Sequence, residues 1–451
     1  MYPTKNHPTF LLLLLAWVVM VPSFGQTPLD LKTAMQYAMT NHAEVQRAAL
    51  EVEKGRELVR ESIATGLPQV GVNAQMVYNP SLRTSLVPAE FFGGPAGQFQ
   101  SIKFGTNWNG SSSIYLNQML FSKTWLMGVR ASYAVNDFYK LVLDKTKEDV
   151  AYEVAKMYYQ VQLSRAQKGI LEANLEQVKG LYKTISKQFE QGLATKTDVE
   201  RLQVQQFNLE TELKNLDLYI RQAEQALKFA MNMPLDTEII MTDSISEQHL
   251  DEVDQLMLQP AFAQKTDLMV LKQQMKLYDL DERRWQAGYF PSLSFFANYN
   301  YEWQANSLND FGTGQNWSNF SQIGVRLQAP IFDGFYKDSK RQTAMLNKRQ
   351  VGIQLDHALA GLQLQHENAI TTLRAQQNTL QSLRENIRVA EDVYDIAQKR
   401  YQQGIGNIVE LLDAESSLRS AQANYLTVLA QLKLAEIDLL HANGKLTQLG
   451  R

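Results

Sequence analysis

Two long stretches of the chain, residues 96–233 and 331–451, contain no proline, although the 451 residues include 12 prolines. Both stretches are rich in Ala, Leu, Gln, Glu, Lys and Arg, which lose little conformational freedom on entering a helix. Proline inside a helix removes a backbone hydrogen bond and kinks the axis, so its absence over such lengths is a strong constraint. The sequence therefore predicts long helices in both stretches.

A heptad pattern of apolar residues runs through both stretches. In the second stretch the spacing alternates between three and four residues at Leu411, Ala414, Leu418, Ala421, Tyr425, Val428, Leu432, Ala435 and Leu439. The same pattern, with Gln206 as its one polar member, occurs 212 residues earlier, from Val199 to Leu227. A narrow stripe with a period of 3.5 residues is typical of a seam between packed helices. We therefore expect each half to contain a long helix, a turn at Gln-Gly and a second helix that folds back along the first.

The two halves repeat one unit. Tyr401, Gln403 and Gly404 follow Phe189, Gln191 and Gly192 at a constant offset of 212 residues. Pro68 to Phe121 spans 53 residues and Pro291 to Phe332 spans 41, so the first half carries 12 extra residues. The extra residues coincide with a cluster of Pro and Gly between 80 and 97, which predicts a loop. We divide the chain into a signal peptide at 1–25, a first repeat at 26–240 and a second repeat at 241–451.

Short segments between the helical stretches alternate apolar and polar residues with period two, which predicts strands. We place them at about 69–79 and 111–121 in the first repeat and at about 292–303 and 319–329 in the second. The helical hairpins then occupy about 123–232, with a tip near 191–198, and about 333–441, with a tip near 403–410. Each strand has about the 9–11 residues of a transmembrane β-strand. A water-soluble sheet packed on the helices is the alternative.

Four strands per chain are too few to close a barrel. An open sheet in lipid leaves backbone groups unpaired at its edges, at several kcal/mol each. Closed barrels begin at about 8 strands, so copies of the chain must assemble, and a usable pore favours three copies over two.

The N-terminus predicts export from the cytoplasm. Lys5 and His7 precede an apolar run from Phe10 to Val21, and Pro22, Ser23 and Gly25 follow it, which is the pattern of a secretory signal peptide cleaved near Gly25. Roughly 20 apolar residues are needed for a spanning helix, so the run is too short to be a membrane anchor.

Composition and motifs exclude several classes of function. The chain has no Cys and a formal charge of -3, which argues against thiol chemistry, Cys-ligated metals and nucleic-acid binding. It has no GxxxxGK[ST], HExxH or GxSxG motif, and its six His show no ligand spacing. We therefore predict no enzymatic activity, no catalytic residues, no cofactor and no metal site.

The motif Tyr401-x-x-Gly404, followed by the segment Ile408 to Ala414, resembles the hairpin tip of the TolC-like outer-membrane factors. The corner from Pro330 to Gly334 resembles the strand-to-helix corner of the same family. These proteins are exit ducts of efflux pumps and type I secretion systems. The resemblance implies a mostly helical fold with membrane β-structure, in which three chains form a twelve-stranded β-barrel continuous with a twelve-helix periplasmic α-barrel. It also implies contacts with outer-membrane lipid, a periplasmic adaptor protein and an inner-membrane pump.

The resemblance also implies roles for residues at the periplasmic aperture. Tyr401 matches a tyrosine that helps to hold the tunnel closed, and Glu410 and Asp413 match two aspartates that form acidic rings. Asp198 is the first-repeat counterpart of Glu410. The chain departs from the family pattern at Gly406, where the best-known member has an arginine that helps to lock the closed state, so the latch must differ here.

The tips have further candidate roles. We expect the adaptor protein to dock at both hairpin tips, on Gly192, Leu193, Thr195, Gly404, Ile405 and Asn407. Thr195 with Asp198, and Asn407 with Glu410, could equally form helix capping boxes, since a carboxylate three residues after the N-cap can bond the cap backbone. The alternative to a channel is a periplasmic scaffold built from long helical hairpins, which would explain the heptads but not the strands.

Overall fold

The computed structural model describes residues 27–248, 253–258, 260, 262–314 and 316–449, so the predicted signal peptide lies outside the described residues. The elements in chain order are β1 (Thr27–Leu29), α1 (Leu31–Asn41), α2 (Ala43–Ala64), β2 (Gln69–Tyr78), β3 (Thr84–Pro88), β4 (Phe99–Lys103), β5 (Trp108–Phe121), α3 (Lys123–Glu190), α4 (Lys196–Met231), β6 (Ile239–Met241), α5 (Val253–Leu258), α6 (Thr266–Ala287), β7 (Ser292–Ala305), β8 (Trp317–Gln328), α7 (Tyr336–Gln402), α8 (Ile408–Ala442) and α9 (Leu446–Leu449).

One antiparallel sheet contains four strands in the order β2-β5-β7-β8. It is built from two hairpins, β2 with β5 and β7 with β8, which join through β5 and β7. All four strands predicted from the period-two pattern belong to this sheet. Strands β2 and β8 are its edges, so each has one side without a strand partner in the described part of the chain.

The register places most apolar residues of the four strands on one face, although Phe296 and Phe320 lie on the other. Val70 is opposite Leu116, Leu116 is opposite Ala297, and Ala297 is opposite Ile323. Residues directly opposite each other share a face of the sheet, and the face alternates along each strand. In the single chain this face is uncovered, with Val70 71% and Ile323 75% exposed. A contiguous exposed apolar surface of this kind marks contact with lipid or with another protein.

Aromatic side chains cluster at the end of the sheet far from the long helices. Trp303 is fully buried. Its ring packs edge-on against Phe311 at 5.1 Å between centroids and lies 6.4 Å from Trp317. Tyr301 stacks on Trp317 at 4.6 Å. An aromatic band at one end of an apolar sheet face is typical of a membrane–water boundary.

The extra residues of the first repeat form a β-hairpin beyond the β2–β5 ladder. β3 and β4 pair antiparallel, from Thr84 opposite Lys103 to Pro88 opposite Phe99. The prediction of a loop between residues 80 and 97 is therefore wrong for β3, whereas β4 begins after that cluster. The Pro and Gly residues belong mainly to the turn, where Gly93 and Gly97 adopt φ of 77° and 81°.

The two longest helices, α3 with 68 residues and α7 with 67, are each about 100 Å long at 1.5 Å per residue. The helices that fold back, α4 with 36 residues and α8 with 35, cover only about half of that length. The rest is covered by α2 and α6, each of 22 residues, which precede the strands and which the heptad pattern did not predict. Each repeat therefore pairs one long helix with two shorter ones.

The helices pack side by side, and the shorter ones lie along the two longest, α3 and α7. Helices α6 and α8 both lie between α3 and α7, whereas α2 and α4 pack on α3. Side-chain bonds place the shorter helices along α3: Trp125 donates from Nε1 to the Ser62 carbonyl of α2 at 2.8 Å, and Arg165 pairs with Glu224 of α4 at 2.6 Å. This arrangement makes α3 the central helix of the chain.

Two apolar cores hold the helices together. The larger core joins α1, α3, α4, α7 and α8 about midway along the two longest helices, beside the short parallel pair β1–β6. The second core lies in the half that ends at the hairpin tips and contains residues of α3, α4, α7 and α8. Seven of the nine heptad residues of α8 are buried, and Tyr425 and Val428 are partly buried, so the predicted seam is confirmed.

A buried ion pair between α3 and the start of α6 leads to a stability prediction. Glu148 and Lys265 are 3% and 1% exposed and 2.5 Å apart, and Thr266 also donates to Glu148. Glu148→Leu leaves the ammonium of Lys265 buried, with only Asp267, 3.5 Å away, to offset its charge. We expect a loss of about 3 kcal/mol of unfolding free energy in a denaturant titration of the detergent-solubilised protein.

The double variant Glu148→Leu with Lys265→Met removes both charges and should recover most of that loss. Asp137→Asn is the matched control, because its pair with Lys140 on the same helix is half exposed, and it should change the free energy by less than about 0.5 kcal/mol. A Glu148→Leu protein as stable as this control would contradict the prediction.

Candidate functional site

Both long helices end at the hairpin tips in the same backbone motif. Gly192 and Gly404 adopt φ of 78° and 74°, in the left-handed region that favours glycine. The Leu193 N–H donates to the Gln188 carbonyl at 2.8 Å, and the Ile405 N–H donates to the Arg400 carbonyl at 3.1 Å. With the bonds from Gly192 to Phe189 and from Gly404 to Tyr401, these contacts complete a Schellman motif at each tip.

The first tip continues into α4 through a capping box. Thr195 Oγ1 accepts from the Asp198 N–H at 3.2 Å, and the Asp198 carboxylate accepts from the Thr195 N–H at 3.1 Å. The Thr195 hydroxyl also donates to this carboxylate at 2.7 Å. Of the two roles considered for Asp198, the structure thus contains the capping one. Asp198 remains partly exposed, so the second role is still open to it.

The second tip begins α8 in a different way. Asn407 is the N-cap, and its side chain accepts from the Val409 N–H at 2.9 Å. No capping box is present here. Glu410 instead forms an ion pair with Arg400, at 3.4 Å, and both side chains are about half exposed. The pair links the end of α7 to the start of α8 within one hairpin.

Tyr401 lies where the two tips meet. It is partly buried against the core shared by the tip halves of the four helices. Burial raises the pKa of its hydroxyl, and the negative charge of Asp198 raises it further. Asp413 is exposed one turn into α8. The structure thus places Tyr401 against the core shared by the two hairpins and leaves Glu410 and Asp413 on the surface of the single chain.

Gly406 is tightly enclosed by the tip backbone. Its N–H donates to the Arg400 carbonyl at 3.0 Å. A Cβ at this position would lie 2.8 Å from the Tyr401 backbone nitrogen, which cannot move aside without changing the turn. The tip conformation therefore requires glycine at the position where the family resemblance implies an arginine.

Apolar side chains project from both tips. Leu193 is 75% and Ile405 is 67% exposed, and they occupy equivalent positions, one residue after the glycine of each Schellman motif. Thr195 and Asn407 are also exposed. The tips therefore present matched polar and apolar surfaces.

Sequence reasoning missed a polar cluster inside the tip half. Glu415 of α8 is 2% exposed, and its carboxylate accepts from Gln205 Nε2 of α4 at 3.1 Å. Arg419, one turn later, pairs with Glu212 of α4 at 3.0 Å. A sequence signal did exist. Glu415 lies four residues after Leu411 and three before Leu418, so it is on the same helix face as the apolar seam.

Burial raises the pKa of the Glu415 carboxyl above its ordinary value of 4.5. Glu212 raises it further, whereas Arg419 and the bond from Gln205 lower it in part.

Two features are absent from the described residues: a metal-binding cluster and a membrane-spanning helix. No group of three or more His, Asp or Glu side chains there could hold a metal ion. None of the helices in the same part of the chain combines the length and the apolar character needed to cross a membrane.

Residues 34–233 and 257–445 match the family model described as outer membrane efflux protein, which covers most of both repeats. The chain belongs to the outer membrane efflux protein family. As a member of this family, the protein is located in the outer membrane of a Gram-negative cell. It is 22% identical over 452 residues to the outer membrane protein TolC of Escherichia coli K12, covering 93% of this chain and 85% of that protein.

Solved structures of similar proteins share the fold. The outer membrane protein VceC of Vibrio cholerae superposes with a TM-score of 0.70 at 17% identity, covering 92% of this chain and 96% of that one. A crystal structure of CusC gives a TM-score of 0.71 at 18% identity, covering 92% and 93%. The predicted fold class, long helical hairpins with a four-stranded sheet in each chain, is confirmed.

The raised pKa of Glu415 leads to a pH-dependent stability prediction. A carboxyl whose pKa is higher in the folded state favours folding fully below its ordinary pKa, and this contribution is lost as the pH rises through the folded-state value. Glu415→Gln keeps a bond to Gln205 without the charge. The variant should therefore gain unfolding free energy over the wild type at pH 8 and little at pH 4.

Thermal unfolding of both proteins at the two pH values measures this difference. Glu391→Gln, exposed on α7, is the matched control and should differ from the wild type by the same amount at both values. A Glu415→Gln protein that behaves like this control would refute the prediction.

Proposed function

We propose that this protein is the outer-membrane exit duct of a tripartite efflux pump or a type I secretion system. Substrates would pass through it passively, from an inner-membrane pump to the exterior, and no catalytic site is required. The observation that carries the proposal is the sheet of β2, β5, β7 and β8, whose register leaves one apolar face uncovered and two edges unpaired.

Three copies would complete the duct. In hydrocarbon, the free N–H and C=O groups of β2 and β8 need partners, and the β8 edge of a neighbouring copy can supply them to β2. Three sheets then make a twelve-stranded barrel with the apolar face towards lipid. The polar face, with Asn73, Ser113 and Asn300 in one row, lines the lumen. The helices below each sheet would join into a tunnel about 100 Å long, enough to reach far into the periplasm.

The scaffold alternative does not account for this sheet. A periplasmic scaffold would leave its apolar face in water, including Val70, Ile323 and Leu327, each of which is more than half exposed in the single chain. Apolar patches of that extent are rare on soluble monomers.

The hairpin tips would form the constriction at the inner end of the tunnel. Glu410 and Asp413 are exposed on the single chain, so both carboxylates can face the lumen. Three copies of each would form acidic rings that attract cations. Tyr401, packed against the core shared by both hairpins, would help to keep the second hairpin against the first, which holds the aperture closed.

An adaptor protein would dock on the tips. Exposed Leu193 and Ile405 provide the apolar contacts, and Thr195 and Asn407 provide polar ones next to the two glycine turns, Gly192 and Gly404. Binding there, with the pump behind it, would stabilise a state in which the hairpins separate. Because a ligand shifts an equilibrium only by its preference for one state, the adaptor must bind the open tips more tightly than the closed ones.

The acidic rings lead to an electrophysiological prediction. Glu410→Gln with Asp413→Asn removes six charges from a trimeric aperture, so it should weaken block by divalent cations and reduce cation selectivity in planar bilayers. Glu385→Gln with Asp392→Asn removes the same number of charges from the exposed face of α7 and is the control. Unchanged block in the first variant would show that these carboxylates do not line the lumen.

The position of Tyr401 in the core shared by the two hairpins leads to a second prediction. Tyr401→Phe removes only the hydroxyl, so it should raise the mean single-channel conductance if that group helps to close the aperture. Tyr394→Phe, one heptad earlier on the same seam and buried, is the control and should conduct like the wild type. Wild-type conductance in Tyr401→Phe would make Tyr401 a packing residue only.

A further inference from the structure

Charge is confined to one face of the main sheet. Among the residues that make up β2, β5, β7 and β8, only Glu302 and Arg326 are charged. Glu302 lies two residues after Asn300 on β7, so it is on the polar face. Arg326 is opposite Ser294, which lies on that face as well. The two charges are about 27 Å apart along the strands, much more than the roughly 8 Å over which charges act at physiological ionic strength, so each acts alone.

Arg326 has no acidic side chain to neutralise it. Its guanidinium lies 5.1 Å from the centre of the Phe296 ring, within the range of a cation–π contact. The side chain is exposed, and within the described part of the chain it has no ion-pair partner. The proposed trimer would place β2 of a neighbouring copy beside β8, and β2 contains no charged residue. The positive charge would therefore stay uncompensated in the assembled duct.

Two aromatic side chains occupy the adjacent rows of the same face. Phe296 lies in the row next to Arg326, and Tyr115 lies in the row after it. A Cβ on Gly324 would be 2.8 Å from Phe296 Cζ, and a Cβ on Gly71 would overlap the Tyr115 ring. Each ring therefore lies across a glycine of the neighbouring strand, and both rings remain half-buried. Phe296 is thus an apolar exception on the polar face, and it lies beside the one cation there.

Resting on the proposed function, we propose that Arg326, Phe296 and Tyr115 form a substrate-binding site on the lumen wall, at the end of the barrel nearest the helices. The site takes exported anions that carry an aromatic ring, such as aromatic carboxylates and sulfonates. The acidic group of the substrate pairs with the guanidinium, and its ring packs against Phe296 and Tyr115. A trimer has three such sites at one level of the barrel.

The position of the site gives it a role in export. The acidic rings proposed at the tips repel anions, whereas Arg326 attracts them. An anion that has passed the aperture therefore gains a favourable contact on the exterior side of it, which opposes its return. The contact is exposed and weak, so it does not prevent release.

The first test measures the block of single channels of the full-length protein in planar bilayers. The blocker is naphthalene-2-sulfonate, added on the side opposite the helices so that it reaches the barrel without crossing the tips. Arg326→Gln should weaken the block by up to about fivefold, the range of an exposed ion pair. Arg326→Lys keeps the charge and should retain most of the block. Glu302→Gln, which removes the distant charge of the same face, is the matched control and should be blocked like the wild type.

A second test separates the contribution of the ring from that of the charge. Phe296→Leu keeps an apolar side chain but removes the aromatic face, so it should weaken the block by naphthalene-2-sulfonate about two- to tenfold. The same variant should change little the block by cyclohexanesulfonate, which has the charge without an aromatic ring. Arg326→Gln should weaken the block by both sulfonates.

The outcomes separate the site from the proposed function. If the wild type conducts and the blockers act equally on the wild type, Arg326→Gln and Phe296→Leu, the site is wrong and the duct stands. If Arg326→Gln weakens the block and Phe296→Leu does not, Arg326 is only a fixed charge and the proposal is overturned. If the wild type forms no channel in bilayers, the duct itself is wrong and the site falls with it. Wild-type conductance of the unblocked variants shows that their barrels form, so a weaker block then reports lost binding.

Discussion

Strands β2 and β8 each leave a row of backbone N–H and C=O groups without a partner in the described part of the chain, on a sheet with one apolar face. In hydrocarbon such groups must be bonded, and in water the apolar face must be covered. A single copy meets neither condition. Assembly of several copies around a common axis, as proposed above, would satisfy both conditions.

The helical part of the chain is about 100 Å long, and its apolar residues form two separate cores. Helices α3 and α7 stay continuous because each is supported along its length by two shorter helices in succession. Apolar residues at heptad spacing form the seam with α4 and α8, and equivalent positions of the two repeats, Leu202 and Ala414, are both buried. Tertiary packing therefore stabilises helices that no local preference would keep straight over about 100 Å.

The two tips show how equivalent positions of a duplicated sequence can make different contacts. Both end in a Schellman motif around glycine, yet Asp198 caps its helix whereas Glu410 pairs with Arg400. The Asp198 carboxylate is bonded to Thr195 within its own turn, whereas the Glu410 carboxylate forms a half-exposed ion pair. Tyr401 of the second hairpin packs against the core that both hairpins share. Further from the tips, Glu415 and Arg419 connect α8 to α4 through polar side chains.

The repeat, the four strands of the main sheet, the heptad seam and the glycine turns could all be predicted from the sequence, because each depends on local periodicity or on the backbone conformation of single residues. Helices α2 and α6 could not, since their apolar faces complete seams formed by distant segments. Nor could the roles of Asp198 and Glu410 be distinguished, because their spacing from the N-cap is identical. Those roles, and the contacts of Glu415 and Arg419 with Gln205 and Glu212, emerged only from the folded chain, because contacts between residues about 210 positions apart depend on how the two hairpins pack.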